Sequence, residues 1–394
     1  MSKNNEKMVA SNFNLKTLNS SEYKDAIKAS LDSEGSLAIF GRRGSGKTMI
    51  AKSTIKEMDF FDATDPKSKP KKCKEVYWNL STMERVDVGG YPDLIGSKSD
   101  YISFKLPETY RDMIEGDTPV VALLDEVDKA DPSLWAPLLE FVQFHTINGR
   151  PLKNLKSVIM TGNLISEGGS KPCLPLLDRV AKFLLEPDVP SWMEWAGASQ
   201  KIHPSVVSYI YDNQTDLFGQ VDPDESYADP SPRAWENASK FLFAGERQNW
   251  SEDKMYRMVI GCVGNAVGTK YKTYFDHYHK ILPMIKKVFD GKEFKEDFGK
   301  LSTVEKLVAS MIAASRVTVS IDSPSNSSGK ISKETSEALK HFSKMIMMVS
   351  EEYRYIAIRS QIQLERIIRL GLDEHPEFGA VTDSIKKKIG AGRK

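Results

Sequence analysis

Gly41, Gly46, Lys47 and Thr48 stand at the spacing G-x-x-x-x-G-K-[ST], within the stretch IFGRRGSGKTMIAKSTI at residues 39–55. That spacing suits one kind of chemistry. A triphosphate crowds several negative charges onto closely set oxygens. Glycines let successive backbone N–H groups curl inward without a Cβ clash, forming a concave anion nest. Arg42, Arg43, Gly44 and Ser45 fill the loop between the outer glycines, so their amides line that nest. A helix predicted to open at Lys47 aims its unsatisfied N–H groups and positive dipole end at the same phosphates. Lys47 is then placed to reach the β and γ phosphates, and the Thr48 hydroxyl to ligate Mg²⁺.

A phosphate loop alone does not hydrolyse anything. The stretch VVALLDEVDKAD at residues 120–131 supplies what is missing. Its apolar run reads as a buried strand that ends in Asp125 and Glu126. In a parallel sheet ligands collect at that strand end. Asp125 there holds Mg²⁺ directly or through water, and Glu126 polarises the attacking water.

These residues need a scaffold that brings distant strand ends together. SLAIF at 36–40 reads as a short buried strand and the helix after the glycines as residues 47–61. Further strands are predicted at 75–81, 119–125, 157–162 and 181–187, with helical segments between them. That alternation predicts an α/β fold, a parallel sheet of five strands flanked by helices. SEYKDAIKASLDSEG, at 21–35, has apolar residues at helical spacing and stops at a glycine. Residues 62–74, DATDPKSKPKKCK, read as a basic, turn-rich connector. From residue 192 onward the pattern is mostly helical, broken by polar runs and by a Ser-, Gly- and Asn-rich loop at 320–330.

Composition narrows the function classes. Lysine and arginine number 55 against 54 acidic residues, a formal charge of +1, which argues against coating nucleic acid through bulk charge and leaves room for a local basic strip. The three cysteines, Cys73, Cys173 and Cys262, lie far apart without zinc spacing and fit a reducing cytoplasm. The first residues carry no apolar signal region, and no apolar run approaches the ~20 residues of a membrane span. His277 and His279 face different sides of a helix and complete no metal set. The Met-rich HFSKMIMMVSEEY reads as a packed helix.

With both motifs in place the chain resembles an AAA+ ATPase, and more narrowly its MoxR-like branch (AAA_5). SVIMTGN is similar to the strand ending in that family's polar sensor, here Asn163. FHTINGRPLKNLK, at 144–156, carries Asn148-Gly149, a strong hairpin turn signal, where that branch has a β-hairpin. LPLLDRV is similar to the family's LDRF element, whose arginine acts on the neighbouring subunit's nucleotide; here it is Arg179, with Val180 in place of the final Phe. DPSPRAW looks like the start of a lid helix with Arg233 as second sensor. IGCVGNAVGTKYKTYF and YPDLIG resemble further lid and loop segments. The resemblance runs from about residue 20 to 282.

The resemblance implies an AAA+ P-loop core at 21–190 after a loose segment 1–20. An α-helical lid at 191–285 and a mostly helical region of unknown role at 286–394 follow. It implies a Mg²⁺-dependent ATP hydrolase that assembles into a ring, a hexamer, and remodels or matures a protein client as a chaperone does. Its partners are other copies of itself and a client, with von Willebrand factor A domain proteins as frequent companions. Glu126, Asn163, Arg179 and Arg233 are the expected catalytic group. Tyr91 reads as a pore-facing aromatic or as part of a tight turn. Two alternatives stay open: a nucleic-acid motor or clamp-loader-like ATPase, supported by Arg150, Lys153 and Lys156 near the hairpin, and a non-hydrolysing nucleotide switch.

Overall fold

The computed structural model describes residues 15–61, 69–95, 102–165, 172–186, 188–199, 201–219, 229–321, 331–362, 367, 370–372, 375–376 and 378–384. Residues 220–228 and 322–330 of the expected polar runs, 62–68 of the connector, and residues 1–14 and 385–394 lie outside this set. The chain divides into two compact units, Met1–Asp188 and Val189–Lys394.

The first unit is built on a sheet of six parallel strands: β1 (Lys16–Leu18), β2 (Ser36–Gly41), β3 (Lys74–Asn79), β4 (Val120–Asp125), β5 (Leu155–Asn163) and β6 (Ala181–Leu185). Their order across the sheet is β1-β6-β2-β5-β4-β3. The expected count was five. The sixth is the edge strand β1, whose three residues pair with β6 in the segment read as loose. Three residues are too few to show a period, and only the pairing partner reveals the strand.

Each strand sends alternate residues to opposite faces. Leu37, Ile39, Val121, Leu123 and Ile159 pack beneath the helices α1 (Ser20–Asp32) and α2 (Lys47–Glu57), against Tyr23, Ile27, Ala51 and Ile55. Ala38, Phe40, Ala122, Leu124, Val158 and Met160 face the other way, onto Tyr110, Leu138 and Phe141. With both faces covered the strands read as continuous apolar runs. α1 starts at a reciprocal capping box: Asn19 Oδ1 accepts from Glu22 N at 2.9 Å, and the Glu22 carboxylate accepts from Asn19 N at 2.8 Å.

Several expected ends moved by a few residues, and two have a visible cause. α2 stops at Glu57 instead of residue 61, because Asp59–Phe60 pairs with Lys71–Lys72 in a two-stranded ribbon. β3 stops at Asn79, whose side chain accepts from Ser81 N at 3.2 Å and Ser81 Oγ at 2.8 Å and starts a tight turn. The hairpin stands where Asn148-Gly149 placed it. Thr146–Ile147 pairs with Arg150–Pro151, and Asn148 and Gly149 take φ of 50° and 72°. Both turn residues in the left-handed region make a turn whose twist matches the strands.

The second unit is helical. Its longest helices are Pro232–Arg247, Glu252–Val263, Asn265–Phe289, Thr303–Ile321 and Lys333–Ile346. One continuous core runs from Trp192 to Val381, so a lid at 191–285 and a region at 286–394 would differ in role while sharing a core. A polar chain runs from buried His203 out to the more exposed Glu246. His203 caps the helix Pro204–Asp212. Its Nδ1 accepts from Ser205 N at 3.3 Å, so Nε2 carries the proton and donates to Glu246 Oε1 at 3.0 Å. Tyr278 OH donates to the same oxygen at 3.2 Å. His277 and His279 lie beside Glu305 and Glu252. Among the described residues no group of three or more His, Cys, Asp or Glu could hold a metal ion, and no helix is long and apolar enough to cross a membrane.

Candidate functional site

β2 is the switch point of the sheet: the chain leaves it toward β3 on one side and returns as β6 on the other. A crevice for ligands forms at such a point, outside the carboxyl ends of the strands. The loop from Gly41 to Gly46 stands there. Gly46 has φ 90° and caps α2 without a side chain, a conformation that costs an L-residue with a Cβ. A Cβ on Gly41 would lie 3.0 Å from the Leu185 carbonyl of β6, so the loop hugs the neighbouring strand.

Lys47 is buried, and its ammonium folds back into the loop. Nζ donates to the carbonyls of Gly41 at 2.9 Å and Arg42 at 2.8 Å, and to Asn163 Oδ1 at 3.2 Å. Asn163 reaches it because β5 runs beside β2 in register, Asn163 opposite Gly41. Asn163 is held from below: Asp128, almost wholly buried, accepts from Asn163 N at 2.9 Å and Nδ2 at 3.4 Å. A carboxylate only accepts and an ammonium only donates, so the Asn163 amide has one orientation that satisfies both.

Thr48 faces Asp125. Its hydroxyl lies 3.0 Å from both carboxylate oxygens. Asp125 collects further donors: Tyr77 OH at 3.0 Å, the Glu126 backbone N–H at 3.1 Å and the Thr161 hydroxyl in a short contact. Glu126, next in the chain, has φ 56° and ψ 41°, the left-handed region. A non-glycine residue held there stores strain that concentrates at functional sites. Its carboxylate is partly exposed and pairs with Lys129 at 2.9 Å.

These distances bring Gly41, Gly46, Lys47, Thr48, Asp125, Glu126 and Asn163 to one sheet edge. Arg179 is elsewhere. It follows the short helix α3 (Leu174–Leu177) and directly precedes β6, whose Ala181 pairs with Leu37 and whose Leu185 pairs with Gly41. Four strand steps separate those pairs, about 13 Å at the usual rise. Arg179 is therefore at the opposite sheet edge from its own phosphate loop. It is exposed, and it donates through Nε to Gln143 Oε1 at 2.5 Å and through Nη1 to the Pro175 carbonyl. Arg233 belongs to the second unit. It is exposed in the first turn of Pro232–Arg247, where Ser231 Oγ accepts from Ala234 N at 3.1 Å as the cap. A cation at that helix end opposes the macrodipole, a cost an anionic ligand would offset. Tyr91 opens a ribbon, Tyr91–Asp93 against Ser103–Lys105, with its side chain about half exposed.

The site fits a nucleoside triphosphate with a hard divalent cation. Ser45 Oγ is buried in the loop without a hydrogen-bond partner, an orphan that a phosphate oxygen would satisfy. Thr48 and Asp125 present the oxygen donors Mg²⁺ prefers, and Mg²⁺ at phosphates needs only one or two carboxylates beside water.

No protein-family model matches the chain, and no curated protein matches it. Among solved structures it is similar to NtrX from Brucella abortus at 14% identity over 64% of this chain and 67% of that one, with a TM-score of 0.29. NtrX in complex with ATP aligns at 14% identity and a TM-score of 0.30 over the same shares. Hsp104 with ATPγS and FITC casein aligns at 17% identity and a TM-score of 0.28, over 58% of this chain and 39% of that one. Scores this low carry no weight beside the geometry. The phosphate loop at the switch point of a parallel sheet, with a helical unit after it, decides the fold class. The fold is a parallel α/β core with a phosphate-type loop at its switch point, followed in the chain by a helical unit.

The sequence missed Thr161 and Tyr77 at this site and offered Asp128 only as a second candidate for the base. Thr161 shares a strand face with Asn163, two residues on, and alternation alone could have found it. Asp128 sits in the acidic run after β4. Tyr77 left no signal, because its partner is 48 residues away.

Proposed function

We propose that the chain is a Mg²⁺-dependent AAA+ ATPase of the MoxR-like kind, which assembles into a ring and uses ATP hydrolysis to remodel or mature a protein client. The observation that carries this reading is the Thr48–Asp125 contact. A phosphate-loop hydroxyl and a strand-end carboxylate 3.0 Å apart make the oxygen pair such a site requires.

The loop amides and Lys47 hold the β and γ phosphates. Thr48 and Asp125 hold Mg²⁺, which when bound neutralises phosphate charge. Glu126, close to that carboxylate, orients water and takes its proton. Asn163 positions the water or a γ-phosphate oxygen. Arg179, about a strand's length from its own loop, serves the nucleotide of a second copy and stabilises charge in the transition state. That role makes the ring part of the active site, and a hexamer is the form we expect. Arg233 keeps the second-sensor role that the resemblance implies, with the lid taken as 191–285 and 286–394 left for client or ring contacts. A von Willebrand factor A domain protein is the client class the resemblance suggests, and the cytoplasm the expected compartment.

The nucleic-acid reading loses ground to the ion pairs. Lys71, Lys72 and Lys74 of the basic connector pair with Asp117, Asp59 and Asp112 at 2.6, 3.0 and 2.6 Å, and Lys156 pairs with Glu34 at 3.3 Å. Cations already paired neutralise fewer phosphates and so displace fewer of the counterions condensed on a nucleic-acid backbone. Isothermal titration with ATP and MgCl₂ tests the proposal: Lys47→Ala should lose tight binding, and equal affinity in both proteins would refute the phosphate-loop assignment.

A further inference from the structure

Asp125 is held by more than the phosphate loop. Tyr77 lies on β3, in register with Leu123, while Asn79 is opposite Asp125. Tyr77 and Asp125 are therefore diagonal neighbours on one sheet face. Such pairs have Cα atoms about 7–8 Å apart, within reach of an aromatic side chain. The phenol covers that distance and donates to Asp125 Oδ2 at 3.0 Å.

The ring is itself clamped. Lys52 Nζ lies 3.6 Å from its centroid, a cation over the aromatic face. Lys52 is one turn beyond Thr48 on α2 and pairs with Glu75, on the same face of β3, at 3.3 Å. The chain Glu75–Lys52–Tyr77–Asp125 thus ties the edge strand, α2 and the strand-end carboxylate together. Thr161 and the Glu126 amide fix Oδ1, while Tyr77 fixes Oδ2 beside Thr48.

We propose that Tyr77, steadied by Lys52, is a positioning residue for the metal: its hydrogen bond sets the Asp125 carboxylate in the orientation that binds Mg²⁺ with ATP. The proposal rests on the ATPase reading above. Partners that orient a ligating carboxylate typically contribute 10–100-fold in metal affinity. Replacing Tyr77 by Phe keeps the ring and its contact with Lys52 and removes only the hydroxyl.

The test is ATP binding in a Glu126→Gln background, where turnover does not interfere, with MgCl₂ titrated from zero. Tyr77→Phe should leave metal-free ATP affinity unchanged and raise the half-saturating Mg²⁺ concentration about tenfold or more. Lys52→Met should shift it part of the way, and add nothing once Tyr77 is Phe. An unchanged Mg²⁺ requirement, or equal loss of ATP affinity with and without the metal, would overturn the role of Tyr77. A chain that retains Tyr77 but binds no ATP under any condition would overturn the ATPase reading and this inference with it.

Discussion

The Lys47 ammonium lies 3.2 Å from the side-chain oxygen of Asn163, which joins the phosphate loop to the far end of β5. Asp128 holds the other end of that amide through Nδ2 and the backbone N–H. The three residues form one line from a buried carboxylate to the nest, so Asp128 acts on the site through Asn163.

Asp128→Asn tests this line. The new amide would set a donor against Asn163 Nδ2 and favour its reversal, turning a second donor toward Lys47. A hydrogen bond to a charged group contributes about 1.5–3 kcal/mol. At about 1.4 kcal/mol per decade, kcat should fall roughly 10–100-fold. Nucleotide affinity should stay near normal, because the loop amides are untouched. Steady-state kinetics read beside titration calorimetry would show the split, and a fall in affinity with unchanged kcat would count against it.

Arg179 offers a different test, since it lies at the opposite sheet edge from its own loop. Arg179→Ala and Lys47→Ala should each be nearly inactive, because a trans arginine contributes ~10³–10⁵ in rate. Mixed together, some interfaces would join an intact loop to an intact arginine, and activity should partly return. Mixed rings seen by native mass spectrometry that turn over no faster than either parent would argue against a trans role.

Acid should weaken the second unit through Glu246. Burial alone would raise this carboxyl, but the hydrogen bonds from His203 and the Tyr278 hydroxyl hold it below its ordinary value of 4.5. A carboxylate depressed in the folded state contributes stability above its unfolded pKa and loses it as pH falls through the folded one. Thermal unfolding between about pH 3 and 6 should show Tm falling more steeply with acid for the natural chain than for Glu246→Gln. Parallel curves would show that Glu246 adds nothing.

Much of the site was legible because its signals are local. The nest needs glycines at fixed offsets, the hairpin needs Asn148-Gly149, and both kept their places. The strands followed from apolar runs, with ends off by a few residues where a partner far along the chain set the boundary, as Lys71–Lys72 did for α2. What stayed hidden depends on pairing across the sheet. β1 exists only because β6 accepts it, Tyr77 only reaches Asp125 through register, and the left-handed backbone of Glu126 has no residue type to announce it. The partners of Lys71, Lys72 and Lys74 in the basic connector stayed hidden for the same reason, since each neutralising carboxylate is distant in sequence.

Phosphate release from ATP with MgCl₂, measured for the natural chain and for Glu126→Gln, meets the central claim most directly. Glutamine keeps the shape of the side chain and removes the carboxylate that orients water, a contribution typically of ~10²–10⁴-fold. The account predicts steady release by the natural chain. For the variant it predicts ATP bound as tightly, with turnover lower by at least about two decades. Release at the same rate from both proteins, or none from the natural chain under conditions where it binds ATP, would contradict it.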